Sequence, residues 1–183
     1  KPVIAQIHGY ALAGGLELAM ACDLVVAAEG AQLGEPEIRF GSAPVTLLMP
    51  FVIGQKKTRE LLLTGDLVGA EEAERIGLVN RVVPVERLAA EVDALADRLA
   101  RVPPDVMAPT KVMLNRAMDA AGFASAVAMG LDLQSFINMS ATAREFDAIV
   151  RRDGLKAALA WRDARYDERL ANAQRQDRAP DLT

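Results

Sequence analysis

Two adjacent glycines, Gly14 and Gly15, stand just ahead of a carboxylate, Glu17. A residue without a Cβ lets a ligand approach the backbone closely, and N–H groups at a helix start stabilise developing negative charge. Glu17 lies within one helical turn of Gly14 and so within reach of anything bound there. A second carboxylate, Glu37, follows Pro36 on a turn. Two such groups can share one water, one taking a proton while the other supplies one. The residue types alone leave plainer readings open. A glycine pair also suits a tight turn, and an acid in a first helical turn also suits the helix dipole. Glu29 and Glu35 offer the same chemistry as Glu37.

Other chemistries are excluded or weakened by what the chain lacks. His8 is the sole histidine, so a His-rich metal site is ruled out and any Ser-His-Asp triad would have to use it. At the end of an apolar run, His8 is expected to be structural, a half-buried and hydrogen-bonded imidazole. Cys22 is the only cysteine, which excludes an internal disulfide and a cysteine zinc cluster. Among Ala19, Met20 and Ala21 it is expected to act as a small buried hydrophobe. No metal site is expected. The glycine pair lacks the spacing of a dinucleotide fingerprint, and no Gly-Lys-Ser/Thr follows it. With 21 basic and 25 acidic residues, a net charge of −4, the chain offers no global field for nucleic acid or membrane. Lys56-Lys57 and Arg151-Arg152 read as solvated faces.

The elements that must position these groups are legible in outline. At 183 residues, 51% hydrophobic and 25% charged, the chain has the composition of an ordinary globular protein. No apolar run approaches the ~20 residues that cross a bilayer, and without a signal or targeting segment the expected location is cytoplasmic. Residues 3–7 are apolar and β-branched, which predicts a buried strand. Residues 8–15 form a small-residue bend, 16–22 a short helix and 24–28 a second strand. An extended or turning segment then passes Gly34 and Pro36. Helical periodicity over 49–63 is interrupted at Gly54, and a helix over 71–76 stops at Gly77. Residues 78–83 are the third and last strand expected. Beyond Pro84 the pattern is helical. One apolar face carries Leu88, Val92, Leu95 and Leu99, and Pro103-Pro104 ends it. Asp105 is placed as the cap of the next helix, which bears Met107, Leu114 and Met118. Gly122 and Asp153-Gly154 separate further helices, the last bearing Leu155, Leu159 and Tyr166. The tail after Leu170 is expected to fray.

Taken in order, these residues resemble the enoyl-CoA hydratase/isomerase (crotonase) family. The resemblance rests first on Lys1-Pro2-Val3-Ile4-Ala5, on the run from Gly9 to Ala19 that holds Gly14, Gly15 and Glu17, and on Ala21-Cys22-Asp23. It continues in Gly34-Glu35-Pro36-Glu37 with Gly41. Leu63-Thr64-Gly65-Asp66, Ala70, Glu72-Ala73, Gly77-Leu78-Val79 and Val83-Pro84 complete it. Three features differ from the family pattern. Ala13 replaces a frequent glycine, a change suited to a negative φ. The segment from Ala43 to Pro50 replaces a Gly-rich stretch, and Trp161 stands where a lysine often meets CoA.

The resemblance implies an α/β fold, the C-terminal part of a spiral of ββα units over residues 1–83, followed by a helical oligomerisation region over 84–183. It implies that family members carry about another third of a chain ahead of this start, so a separate N-terminal segment is an expected partner. It implies hydration of a 2-enoyl-CoA thioester, with Glu17 and Glu37 as the catalytic pair and Gly14 supplying an oxyanion-hole N–H. Leu12, Gly15, Pro36 and Leu47 would contact substrate. No cofactor is expected beyond the CoA of the substrate. The expected partners are an acyl-CoA and further copies of the chain in a homo-trimer or hexamer, with neither nucleic acid nor membrane. Isomerisation of an enoyl-CoA, another acyl-CoA lyase activity, or a non-catalytic assembly role are the alternatives, and the chain alone is open to being inactive.

Overall fold

The computed structural model describes residues 1–166. The chain opens with β1 (Ile4–Ile7) and β2 (Tyr10–Leu12), then α1 (Gly14–Ala21), β3 (Leu24–Ala28) and β4 (Gln32–Gly34). A 3₁₀ turn (Pro36–Phe40), α2 (Met49–Val52) and α3 (Gln55–Thr64) follow. Next come β5 (Val68–Gly69), α4 (Ala70–Arg75) and β6 (Arg81–Val83). The first four strands alternate between two sheets: β1, β3 and β6 form one parallel sheet, and β2, β4 and β5 form the other. In the second sheet β2 and β4 run parallel, while β5 returns antiparallel. Each strand pair thus feeds a helix or helical turn before the chain re-enters the first sheet, the repeating ββα unit of a spiral.

Six strands are present among the described residues, where the sequence pattern predicts three. The extra ones, β2, β4 and β5, are two or three residues long and make the second sheet. Segments so short carry no readable period, and their strand geometry is fixed by pairing across the sheet. The helix expected over 16–22 starts two residues earlier, at Gly14 itself. The interrupted helix breaks at Gly54 as the pattern suggests, and Gly77 ends the α4 segment with a φ of +83°.

The first sheet is covered on both faces. Along β3 alternate side chains serve two cores. Val25 and Ala27 pack with Leu16, Leu33, Met49 and Leu61, whereas Val26 and Ala28 face Leu88 and Leu95. The last two residues belong to α5 (Leu88–Ala100), the amphipathic helix legible in the sequence. α6 (Pro104–Ala120), α7 (Phe123–Ile137), α8 (Ala141–Asp153) and α9 (Leu155–Ala164) complete the described chain. Asp105 does not cap α6; the residue before its first turn is Pro103, with no side-chain cap. Proline at the first position makes a cap less necessary, since its missing N–H leaves one orphan donor fewer. A side-chain cap is found instead at Ser140 ahead of α8, where the hydroxyl accepts from the Ala143 N–H. α6 is tied to the first sheet by Lys111, 2.6 Å from the Asp23 carboxylate that also accepts the Val3 N–H. Tyr166 falls beyond the end of α9, and the tail expected to fray lies outside the described residues.

No single helix among the described residues is long and apolar enough to cross a membrane.

Candidate active site

α1 starts where β2 ends, and the chain turns there through Ala13. Its φ of 54° and ψ of −131° place an alanine in backbone territory that favours glycine. The negative φ that would suit the replacement of glycine is therefore not adopted. The Ala13 N–H donates to the Gly34 carbonyl at 2.9 Å, which ties the start of α1 to the end of β4. Ala13 also accepts from the N–H groups of Leu16 and Glu17, beginning the helix. The N–H groups of Gly14 and Gly15 have no acceptor among the described residues, and both glycines are exposed. A Cβ at either would meet no atom within 4 Å, so neither glycine is required by packing. What remains is a helix start presenting two unoccupied donors to solvent.

One turn further, Glu17 points at the segment after the 3₁₀ turn. Its Oε1 accepts the Val45 N–H at 2.7 Å and the Thr46 N–H at 2.9 Å. Those two donors fix one oxygen of the carboxylate and leave the other outside these bonds. The rear helices hold this loop in place. Gln134 of α7 accepts the Ala43 N–H and donates to the Ser42 hydroxyl. Gly130, also on α7, lies so close that a Cβ there would sit 2.3 Å from the Val45 carbonyl oxygen. Gly41 meets the start of α8 just as tightly, at a φ of +84°.

Glu37 sits in the 3₁₀ turn behind Pro36, only 7% exposed, and its Oε2 is buried with no partner. Burial raises its carboxyl above the ordinary value, and the Glu17 charge adds to that rise. Glu35 precedes it at 1% exposure, also with an unpartnered Oε2. Among the described residues, four buried side-chain oxygens lack partners: those of Glu35, Glu37, Thr46 and Thr58. Three of them belong to this carboxylate site and its anchoring loop. Buried polar atoms are nearly always satisfied, so this concentration marks a place where water or a substrate completes the bonding.

The residues singled out from the sequence fall around this centre. Pro36 is buried, while Leu12 and Leu47 are half-buried at the end of β2 and in the anchoring loop. Leu47 has a φ of 47°, a second non-glycine in glycine territory, in the stretch where the related pattern is Gly-rich. Gly15 lines a groove of about 350 Å³ with His8, Tyr10, Leu18 and Cys22. A larger cavity, about 420 Å³, lies between Pro2, Leu99 and Met107, away from the carboxylates. His8 is exposed and without a hydrogen bond among the described residues, so the half-buried, bonded imidazole expected of it is not found. Cys22 is half-buried, its thiol 3.3 Å from the Leu18 carbonyl, rather than a core residue. Trp161 packs near Phe146 with the Arg165 guanidinium over its ring. Glu29 is exposed on the turn after β3, which separates it from the pair. Glu35 appears in the sequence only as an equal alternative to Glu37. Its burial follows from β4, which no period announced.

A family model described as enoyl-CoA hydratase/isomerase matches residues 1–157. A probable mitochondrial enoyl-CoA hydratase of Dictyostelium discoideum is 43% identical over 122 residues, which is 65% of this chain and 44% of that protein. A crotonyl-CoA hydratase of Syntrophomonas wolfei is 47% identical over 102 residues, 54% of this chain and 39% of the other. The solved structure of an enoyl-CoA hydratase/isomerase from Xanthobacter autotrophicus Py2 aligns with a TM-score of 0.86 at 43% identity. That alignment covers 90% of this chain and 62% of the other. The chain thus spans less than half the length of the two curated relatives.

Proposed function

Since this chain belongs to the enoyl-CoA hydratase/isomerase family, we propose that it carries the hydration site of an enoyl-CoA hydratase, adding water syn across the double bond of a 2-enoyl-CoA thioester. The observation that carries this reading is the pairing of Glu37, buried with a free oxygen, with Glu17, anchored by two backbone amides. Between them they hold one water. Its oxygen bonds to C3, one of its protons passes to a carboxylate, and a proton is returned to C2. Attack at C3 drives negative charge onto the thioester oxygen. The unoccupied Gly14 N–H is the donor for that oxygen, and its worth is of the order of 10²–10³ in rate. Leu12, Gly15, Pro36 and Leu47 border the acyl and thioester groups. CoA is part of the substrate, and no separate cofactor enters the reaction.

Isomerisation is the nearest competing activity, because it can proceed with one carboxylate. Supplying the full-length protein with crotonyl-CoA and, separately, with a 3-enoyl-CoA distinguishes the two. The expected result is loss of the conjugated-thioester absorbance with crotonyl-CoA, slowed at least ~10²-fold in Glu17→Gln, the lower end for a positioned acid or base. Turnover of the 3-enoyl substrate alone would replace hydration by isomerisation.

The proposed assembly is a homo-trimer or a dimer of trimers. α6 contributes no buried residue to the described chain, although it carries Met113 at 64% and Leu114 at 66% exposure. On α7 Phe136 is 67% exposed. Apolar side chains at this density on neighbouring helices fit a face covered by another subunit.

A further inference from the structure

We infer that Glu35 is a positioning residue of the hydration site: enclosed beside Glu37 with no cation paired to it among the described residues, it sits there as a neutral acid and keeps a third negative charge out of the site. The inference rests on the hydratase reading above and concerns a residue that reading does not use.

The placement comes first. Glu35 follows the last residue of β4 and leads through Pro36 into the turn that bears Glu37. At 1% exposure it is among the most completely buried side chains of the described chain, and it is the only charged type among them. A side chain so enclosed is costly unless it is paired or neutral. No ion pair among the described residues involves Glu35, and its Oε2 has no partner. Arg39, on the same turn, is committed to Asp66 and to the Thr64 carbonyl. Lys57 of α3 pairs with Glu60 and Glu72, while Lys56 and Arg59 are exposed. On α8 Arg144 donates to the Met139 carbonyl, and Arg151 and Arg152 pair with Asp147 and Asp153; Arg162 of α9 pairs with Asp163, Arg165 with Glu145, and Lys156 is exposed. α4, packed on β4, has Arg75 bonded to Glu72, with Glu71 and Glu74 exposed. The charges that do act on Glu35 are Glu37 and Glu17, both negative.

Burial, and then those two carboxylates, push Glu35 up to about 8. At neutral pH it is therefore an acid, and the site carries no third charge. Once it ionises, its charge opposes the negative charge developing on the thioester oxygen and further disfavours charge on Glu37. Glutamine has the size and shape of the neutral acid but cannot ionise, whereas aspartate retains a titrating group.

The test has two arms in the full-length protein. Carboxyl NMR on glutamate-labelled protein is expected to show one resonance titrating near 8, absent in Glu35→Gln. A resonance that persists in the variant, or none above the ordinary carboxylate range, would overturn the inference. In the second arm, kcat/KM for crotonyl-CoA is followed against pH. Wild type should lose about tenfold by one pH unit above the midpoint of its alkaline limb. Glu35→Gln should keep its neutral-pH rate within a few-fold and lose that limb, and Glu35→Asp should retain one. A limb unchanged in Glu35→Gln removes the positioning role. If wild type fails to hydrate crotonyl-CoA at all, the hydratase reading falls and takes the catalytic role with it, while the NMR arm still reports whether Glu35 holds the proton.

Discussion

At Ala13 the backbone asks for glycine and the sequence supplies alanine. Holding a non-glycine residue at a φ of 54° costs of the order of 1–3 kcal/mol, partly offset by the lower entropy cost of ordering alanine. Ala13→Gly is therefore expected to stabilise the fold by about 1 kcal/mol. The readout is the urea midpoint at unchanged slope; a lower midpoint would show that the conformation carries no strain. Glu35 predicts a stability effect of a different kind. Its carboxyl keeps a proton up to about 8 when folded, whereas an ordinary glutamate loses it near 4.5. Between those values the folded chain binds more protons than the unfolded chain, so this residue makes stability fall as pH rises, with no further loss above about 8. Glu37, raised for the same reason, adds a slope of the same sign. Glu35→Gln should flatten the decline, as read from urea midpoints across that range; an unchanged decline would place the proton elsewhere.

The elements differ in how far their sequence announced them. α5 and α4 were legible, because an amphipathic face and a glycine stop are local signals. The start of α1 at Gly14 and the burial of Glu35 were not. Both depend on β2 and β4, which form by pairing across the second sheet and which place Ala13 against Gly34. The acids could be named from residue type, but Glu29, Glu35 and Glu37 were told apart only by the turn that exposes the first and buries the other two. Gly130 gave no signal at all: in sequence it is a glycine inside a helix, and in the fold it is where α7 touches the loop that anchors Glu17. Alanine favours the helix by about 1 kcal/mol, yet its Cβ would meet the Val45 carbonyl oxygen at 2.3 Å. The steric conflict wins. Gly130→Ala is expected to displace the loop, loosen Glu17 and lower kcat by ~10²-fold, the size associated with a misplacement of ~1 Å. The helix itself should persist by circular dichroism. A variant with full activity would show that the loop does not position Glu17.

Across the described residues, the front encloses its core between two sheets and helices, whereas the rear leaves apolar faces exposed. Val112, Met113 and Leu114 on α6 and Met129, Leu133 and Phe136 on α7 are all exposed. A monomer with these faces open would be prone to association, and a closed symmetric oligomer satisfies them. Light scattering of the full-length protein at micromolar concentration is expected to give a trimer or hexamer; a monodisperse monomer would contradict it. The same division of labour shapes the proposed site, since the front supplies Glu17, Glu37 and the Gly14 N–H, and the rear helices pin the loop that holds Glu17. That the carboxylate pair performs hydration is the central claim, and Glu37→Gln tests it most directly. Its rate of crotonyl-CoA hydration, measured beside its urea midpoint, should fall at least ~10²-fold. The midpoint should hold or rise, because the substitution removes a carboxyl that burial already penalises. A folded Glu37→Gln protein that hydrates crotonyl-CoA at the wild-type rate would contradict the account.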